Sequence, residues 1–151
     1  MYALNYLYSR GLTKKDIIKW KIGYCSTGEY EGRIVFPSFD LDGNLNYFIG
    51  RSYDRNWKRY LNPPLKGNMV FNHLYLDFLK PITIVEGVFD AVKAGTNSIP
   101  LLGSTLSEAS LLLSEIAKND ATVYLALDSD ADKKIAKLTQ LFLKYDIELF
   151  I

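Results

Sequence analysis

The chain has 151 residues, of which 48% are hydrophobic and 23% are charged, with a formal net charge of +1. These values suit one globular domain or two small lobes. No apolar run reaches the roughly 18 residues that cross a bilayer, and no signal peptide is expected at the N-terminus. The single cysteine, Cys25, excludes an intrachain disulfide and a cysteine-rich zinc module, and favours a reducing, cytoplasmic location.

The net charge conceals an asymmetry between the two halves of the sequence. Residues 1–80 contain 12 Lys and Arg against 7 Asp and Glu, a balance of +5. Residues 81–151 contain 6 against 10, a balance of −4. A basic half next to an acidic half is typical of a protein that holds a polyanion with one part and metal cations with the other, although a small domain also acquires such asymmetry by chance.

The first predicted elements are two short helices within residues 5–24. Gly11 ends the first helix, because glycine adopts the backbone conformation that closes a helix. Thr13 caps the second helix, with Asp16 three residues on in the position of a capping box. Helical structure is therefore expected ahead of the first strand.

A β-hairpin is predicted next. Residues 33–40 and 45–52 have the pattern of strands, and Asp42-Gly43 between them is a strong turn signal. Residues 53–68 are polar, basic and interrupted by two consecutive prolines, so a loop is predicted there. The basic half is thus predicted to be a small α+β subdomain.

After Pro81 the pattern changes to an alternation of strands and helices. Apolar strands are predicted at 82–86, 98–102, 122–127 and 147–151, and helices at 88–93, 105–117 and 132–144. Thr105 and Glu108 form a capping-box pair for the second of these helices. Apolar strands separated by helices indicate an α/β fold, with a mostly parallel four-stranded sheet and helices on both faces.

Acidic side chains stand where two of these strands end. Glu86 closes the first strand, and Asp90 lies one turn into the following helix. Asp128 and Asp130 follow the third strand, with Asp132 just beyond. If the two strands are neighbours, these carboxylates meet at the carboxyl edge of the sheet, where ligands of α/β proteins bind. Carboxylates so close repel unless a cation lies between them, and oxygen ligands select Mg²⁺ or Mn²⁺ and not zinc.

Several of these acids also have a simpler explanation. Asp130 and Asp132 suit a helix N-terminus, where acids are favoured, and Asp90 suits a solvated first turn. That explanation is weaker for Glu86 and Asp128, because they close apolar strands at positions where a hydrophobic residue is expected. The metal-centre hypothesis depends most on these two residues.

The acidic pattern resembles the Toprim fold. It consists of Glu86-Gly87-x-x-Asp90 after one apolar strand and Asp128-x-Asp130 after another. Bacterial and phage primases, topoisomerases, certain nucleases and recombination proteins share that fold. The resemblance covers the chain from residue 82 onward, and motif, spacing and strand context agree.

The resemblance also implies roles for the acids. The catalytic residues that it implies are Glu86, Asp128 and Asp130. The metal ligands that it implies are the same three together with Asp90, and the acidic pattern of the sequence itself adds Asp132. Asp132 is a departure, because primases of this type place Ala-Gly soon after the second aspartate and here Ala131 is followed by Asp132. Asp132 either adds a ligand or alters the turn.

The basic half resembles the subdomain that precedes Toprim in DnaG-type primases. The matching segments are Arg10-Gly11-Leu12, Ile22-Gly23-Tyr24, Arg33-Ile-Val-Phe-Pro37, Gly43, Gly50-Arg51 and Arg59-Tyr60-Leu61-Asn62-Pro63. In that family the subdomain holds template and incoming nucleotides. The resemblance therefore implies nucleic-acid or nucleotide contacts for Arg33, Arg51, Arg59, Asn62 and Lys66. At Asn72 the family often has a lysine, which this chain lacks.

Aromatic and basic residues alternate in the same stretch. The aromatic residues are Tyr53, Trp57 and Tyr60, and the basic ones are Arg55, Lys58 and Arg59. Such a pattern stacks bases while cations hold the phosphates, and arginine forks match phosphate oxygens. Arg55 and Lys58 are therefore added to the predicted contacts, whereas packing within the lobe explains Tyr60 equally simply.

The functional expectation is a primase catalytic core that synthesises RNA primers on single-stranded DNA from ribonucleoside triphosphates by metal-dependent nucleotidyl transfer. Its domains are predicted to be a basic subdomain, 1–80, and a Toprim domain, 81–151. The alternatives are a Toprim nuclease and an inactive nucleic-acid-binding remnant. Primases of this family usually also carry a zinc module and a helicase-linked part. A fragment of a larger primase is therefore expected, or a small phage-like gene product, with a replicative helicase contacted through regions absent here.

Overall fold

The computed structural model describes residues 2–54, 58–65, 68–102 and 106–151. The chain divides into two compact units, Met1–Lys66 (unit 1) and Gly67–Ile151 (unit 2). Within the described ranges, no helix is both long enough and apolar enough to cross a membrane.

Unit 1 begins with two helices, α1 (Tyr2–Ser9) and α2 (Lys14–Lys19). Gly11 follows α1 with a φ of 83°, a left-handed value that glycine adopts at little cost. The predicted capping box is confirmed, since the Asp16 amide donates to Thr13 Oγ1 at 3.2 Å and the Thr13 amide donates to Asp16 Oδ2 at 2.8 Å. Two backbone donors at the start of α2 are thereby satisfied.

Three antiparallel strands follow in the order β1 (Gly23–Cys25), β2 (Arg33–Phe39) and β3 (Leu45–Ser52). The predicted hairpin of β2 and β3 is confirmed. Its turn is closed by Asp40, whose carboxylate accepts from the amides of Asp42 and Asn44. Strand β1 lies where helix was predicted, because pairing with β2, with Cys25 opposite Arg33, outweighs local preference.

Residues 59–61 run along β3, although the sequence predicted a loop there. Tyr60 forms an isolated antiparallel bridge with Arg51, and the Leu61 amide donates to the Gly50 carbonyl at 2.9 Å. A Cβ at position 50 would lie 2.4 Å from the Leu61 carbonyl oxygen, so only glycine permits this approach. Nonlocal pairing of this kind leaves no periodic signal in a short segment.

Unit 2 is built on a four-stranded parallel sheet in the order β5-β4-β6-β7. Its strands are β4 (Ile82–Val85), β5 (Ser98–Pro100), β6 (Val123–Ala126) and β7 (Leu149–Phe150). This arrangement confirms the predicted α/β class and the four-stranded parallel sheet. The central pair, β4 and β6, is in register from Ile82 opposite Val123 to Val85 opposite Ala126.

The helices of unit 2 are α3 (Val88–Ala94), α4 (Leu111–Lys118) and α5 (Asp132–Lys144), with a 3₁₀ turn at His73–Tyr75. Because crossovers between parallel strands are right-handed, this strand order places α3 on one face of the sheet and α4 and α5 on the other. Strand β6 is covered on one face only, since Val123 and Leu125 are buried while Tyr124 and Ala126 are exposed.

Helix α4 begins at Leu111, later than the predicted start at Thr105, which lies outside the described residues. Its first amide is capped from a distance in sequence, because the Leu111 amide donates to Asn68 Oδ1 at 2.9 Å. Glu108 does not act as a capping partner of α4; its carboxylate accepts from Lys144 and Tyr145 on the end of α5. These hydrogen bonds, Lys144 first, lower the pKa of Glu108.

The residues that precede β4 belong with unit 2. The side chain of Asn97 accepts from the Asp77 amide at 2.8 Å and donates to the carbonyls of Asp77 and Pro81. The division of the chain therefore falls between Lys66 and Gly67, whereas the change of sequence pattern at Pro81 placed it between residues 80 and 81. A pattern of periodicity marks the first strand of a unit and not the irregular segment that packs beside it.

Candidate functional site

Two neighbouring strands deliver the predicted acids to one edge of the sheet. Glu86 directly follows β4, and Asp128 stands two residues beyond the end of β6. Because Val85 and Ala126 are opposite each other in a parallel pair, both strands end at the same level. The sheet register therefore brings the two acidic segments together, as the sequence predicted from strand ends.

Gly87 links Glu86 to helix α3. It is the N-cap residue of α3 and has an extended backbone, so its role is not left-handed freedom. A Cβ on Gly87 would lie 3.3 Å from Asp90 Oδ2, which is tighter than most contacts of that kind. Glycine at this position lets the Asp90 carboxylate lie over the turn. Asp90 itself is exposed in the first turn of α3, where an acid is favoured.

Glu86 makes a contact with a residue from another element. Its Oε1 lies 2.5 Å from the Lys134 ammonium nitrogen, and the two side chains are 30% and 26% exposed. Its other oxygen, Oε2, is buried and has no hydrogen-bond partner among the described residues. An unpartnered buried carboxylate oxygen is costly, and it is a donor atom that suits a hard cation.

An open cleft of about 720 Å³ lies at this edge of the sheet. The residues that line it are Glu86, Asp128, Asp130, Ala131, Asp132, Lys133 and Lys134. Four of the five predicted metal ligands therefore share one cleft, and Asp90 is outside its lining. The donor set consists of carboxylate oxygens, which fits Mg²⁺ or Mn²⁺. As the side chains stand, no three acids, histidines or cysteines in the described ranges are close enough to enclose a metal ion.

The loop after β6 carries the remaining acids into helix α5. The Ala131 amide donates to the Asp128 carbonyl at 3.0 Å, which closes a turn around Asp130. Ala131 is the N-cap of α5 and offers no side-chain cap, and Asp132 is the first residue of the helix. Asp132, where primases of this type differ in sequence, therefore lies in the first turn of α5, where the helix dipole favours a carboxylate.

Lys134 is a site residue that the sequence reasoning missed. The signal available was Lys133-Lys134 in the first turn of a predicted helix, where cations are disfavoured. A pair of lysines at that position suggests a nearby acid from another element.

Two predicted nucleic-acid contacts, Arg33 and Arg51, are buried inside unit 1 at 5% and 9% exposure. Arg33 donates to the Lys58 carbonyl at 2.9 Å. Arg51 donates to the Tyr6 hydroxyl through Nε at 3.2 Å and through Nη2 at 2.9 Å, and its guanidinium lies 4.7 Å from the Tyr60 ring centre. Both arginines therefore hold the 58–60 segment to the body of the unit.

The other predicted contacts divide between surface and packing. Lys58 and Arg59 are exposed. Asn62 accepts from the Gly50 amide at 3.1 Å, and it also hydrogen-bonds Tyr47, whose pKa is raised chiefly by burial. Arg55, Trp57 and Lys66 lie outside the described residues.

Two further positions from the sequence analysis, one in each unit, have structural surroundings that the described residues define. Tyr53 packs against Tyr24, with ring centres 6.0 Å apart. Asn72, where the family often has lysine, is buried with a left-handed backbone at φ 54°. Asparagine tolerates that conformation better than lysine does, so this position serves the local turn of unit 2.

Proteins similar to this chain in sequence include DNA primases. No family model matches the chain. The DNA primase of Campylobacter jejuni is 28% identical, over 85% of this chain and 29% of that protein. The DNA primase of Thermotoga maritima is 29% identical, over 85% of this chain and 30% of that protein. The chain thus spans less than a third of the length of these relatives.

Solved structures identify the fold. The Aquifex aeolicus primase, with its zinc-binding and RNA polymerase domains, superposes with a TM-score of 0.81 at 23% identity, over 98% of this chain and 48% of that one. The RNA polymerase domain of Mycobacterium tuberculosis DnaG gives 0.77 at 14% identity, over 98% and 66%. A DnaG catalytic domain bound to single-stranded DNA gives 0.72 at 19% identity, over 93% and 58%. The chain therefore has the fold of the DnaG-type primase catalytic core, and its relatives in sequence are DNA primases.

Proposed function

We propose that this chain is the catalytic core of a DnaG-type primase and joins ribonucleotides on single-stranded DNA by metal-dependent nucleotidyl transfer. The observation that carries the proposal is the cleft at the carboxyl edge of the parallel sheet, with Glu86, Asp128 and Asp130 in its lining. The primase names of the sequence relatives and the fold support the same reaction.

Within this proposal the acids hold divalent cations. When bound, Mg²⁺ or Mn²⁺ neutralises phosphate charge and lowers the pKa of the attacking hydroxyl. Glu86, with one oxygen unpartnered among the described residues, offers the anchoring ligand, and Asp128 and Asp130 line the same cleft from exposed positions on the loop after β6. Asp132 offers a further carboxylate in the cleft, and Asp90, outside the cleft lining, offers another.

The basic residues of unit 1 are proposed to hold the template and the incoming nucleotides. Lys58 and Arg59 present exposed cations on a segment that Arg33 and Arg51 tether. The neighbour bound to single-stranded DNA supports this role. If it is correct, binding of single-stranded DNA weakens with salt at a log–log slope of about −0.7 per phosphate neutralised, and Arg59→Ala makes that slope shallower by nearly one contact.

Primer synthesis is tested with single-stranded DNA, labelled ribonucleoside triphosphates and Mn²⁺, using the chain and a full-length parent. Short labelled RNA is the expected product. Glu86→Gln is expected to lower the rate at least ~10²-fold, because charge placement at the metal supplies several kcal/mol of transition-state stabilisation. Glu115→Gln is the matched control, since Glu115 is half-buried on α4 and is not in the cleft lining.

The same assay separates the alternatives. A Toprim nuclease cleaves the DNA without triphosphates, and a binding remnant shows the Arg59 effect without metal-dependent chemistry. Either result in the full-length parent, with no RNA made, would replace the primase proposal. A cytoplasmic location, contact with a replicative helicase and a phage origin belong to the proposal for the whole protein and are tested on that protein.

A further inference from the structure

Lys134 lines the cleft beside Glu86, the residue that the proposed function takes as the main metal ligand. Its ammonium nitrogen lies 2.5 Å from Glu86 Oε1, and both side chains are more than two-thirds shielded from solvent. This is a contact between two elements, because Glu86 ends β4 and Lys134 is on α5. The contact places a positive charge where a divalent cation would be held.

The position of Lys134 on its helix makes the contact informative. Lys134 is the third residue of α5, and helix N-termini carry a partial positive charge that disfavours lysine. Ala131 provides no side-chain cap to offset that charge. A lysine in the first turn of a helix is locally unfavourable, so a function or a tertiary contact is expected to explain it. In this structure that contact is the ion pair with the Glu86 carboxylate.

Lys133 provides the internal comparison. It precedes Lys134, lines the same cleft and is exposed. In the described part of the chain, the ion pair with Glu86 is made by Lys134 and not by Lys133. General attraction of lysine to an acidic cleft would not distinguish these two neighbours, so the pair is specific to one of them.

We propose that Lys134 is a resident counter-cation of the metal centre, which holds the Glu86 carboxylate in place and is displaced when a divalent cation binds. The inference rests on the proposed metal-binding role of Glu86. A cation on Glu86 Oε2 would lie within a few ångströms of the ammonium on Oε1, and like charges that close repel each other. Metal and ammonium therefore compete for one carboxylate.

Two consequences follow from this competition. Lys134 lowers the apparent affinity for the first divalent cation, because the ion pair must open before or during metal binding. It also stabilises the metal-free protein, because it neutralises an acid that is largely enclosed. Metal binding then frees the Lys134 side chain from Glu86, within the same acidic cleft.

The test is isothermal titration calorimetry with Mn²⁺ on the whole chain and three variants, Lys134→Gln, Lys133→Gln and Lys134→Arg. Lys134→Gln is expected to bind Mn²⁺ about threefold to tenfold more tightly than the unmodified chain, and Lys133→Gln, with the same change in net charge, less than about twofold more tightly. Lys134→Arg keeps the pair and is expected to keep the original affinity.

Thermal unfolding without metal is the second measurement. Lys134→Gln is expected to lower the melting temperature more than Lys133→Gln does, and saturating Mn²⁺ is expected to remove that difference. Equal Mn²⁺ affinities for the two glutamine variants would overturn the role of Lys134 while leaving the metal centre intact. No Mn²⁺ binding by the unmodified chain, with Glu86→Gln unchanged from it, would remove the metal centre and this inference together. Lys134→Arg keeps the charge and can keep the ion pair, so its comparison with Lys134→Gln separates loss of the pair from the effect of replacing the side chain.

Discussion

The acidic edge of unit 2 and the basic segment of unit 1 use charge in opposite ways. In unit 2 the aspartates at the sheet edge are exposed, and of the cleft acids Glu86 alone is shielded by an ion-pair partner from another element among the described residues. In unit 1 two arginines are buried and bonded to Tyr6 and to a backbone carbonyl. Two of the cations of unit 1 are therefore part of its packing.

This difference teaches that charge in a sequence does not distinguish a binding residue from a structural one. A carboxylate just beyond a strand end is exposed, and its replacement leaves the core of the unit intact. An arginine within a strand is enclosed by its neighbours, and its replacement disturbs the fold. Substitutions in the two regions should accordingly separate into effects on chemistry and effects on stability.

The largest expected effect is on chemistry in unit 2. Asp128→Asn combined with Asp130→Asn should abolish divalent binding by calorimetry and lower primer synthesis at least ~10²-fold, with unfolding free energy changed by less than about 0.5 kcal/mol because both side chains are exposed. Asp120→Asn with Asp146→Asn is the control, since both are exposed, have left-handed backbones and carry the same charge. Unchanged divalent binding by the Asp128→Asn, Asp130→Asn variant would show that these exposed aspartates are not metal ligands.

The second effect is on stability in unit 1. Arg51→Met should lower the free energy of unfolding by about 1.5–3 kcal/mol, because it removes hydrogen bonds from a charged donor to Tyr6 and the contact with Tyr60. Arg59→Met, at an exposed position nearby, should change it by less than about 0.5 kcal/mol. Urea denaturation measures both. Equal losses in the two variants would mean that burial does not separate these arginines.

Gly50 gives a third and somewhat smaller effect. Gly50→Ala should destabilise unit 1 by about 1–3 kcal/mol, because its Cβ would meet the Leu61 carbonyl oxygen at 2.4 Å and displace residues 59–61. Gly23→Ala is the matched control, since Gly23 is also in a strand and its Cβ would meet nothing within 4 Å. A Gly50→Ala variant as stable as the control would show that the 59–61 segment moves aside easily.

The smallest effect concerns pH at helix α2, which has the capping box that α5 lacks. The hydrogen bond from the Thr13 hydroxyl is the main cause that lowers the pKa of Asp16. Since the folded pKa is below the unfolded one, this stabilisation is present above about pH 4 and is lost as pH falls through the folded value. The stabilities of the unmodified chain and Asp16→Ala, followed by thermal unfolding from pH 7 to pH 2, should converge at low pH. A constant difference in stability between the two proteins from pH 7 to pH 2 would show that the Asp16 carboxylate does not contribute in this way.

The sequence predicted the parts of the molecule whose signals are local. The apolar strands of unit 2, the hairpin turn at Gly43 and the Thr13 capping box each follow from residues adjacent in the chain. The acids of the cleft were also predicted, because a parallel sheet brings the carboxyl ends of neighbouring strands to one edge.

The missing parts depend on partners far away in sequence. Helix α4 begins where Asn68, 43 residues earlier, caps Leu111, and β1 exists because β2 pairs with it. The attachment of residues 59–61 to β3 and the pair of Glu86 with Lys134 span two elements each. Burial of Arg33 was not predicted, because a basic residue in a strand is expected to face solvent.

The turn between β6 and α5 also bears on how such a protein can change over evolutionary time. Residues 128–130 are exposed, and the turn that holds them is closed by a backbone bond from Ala131 to Asp128. Their side chains can be exchanged while the sheet below stays intact, so new reactions can be sampled without a cost in folding. A single scaffold can in this way give rise to descendants with different chemistry, each inheriting the same strands and differing in a few loop residues.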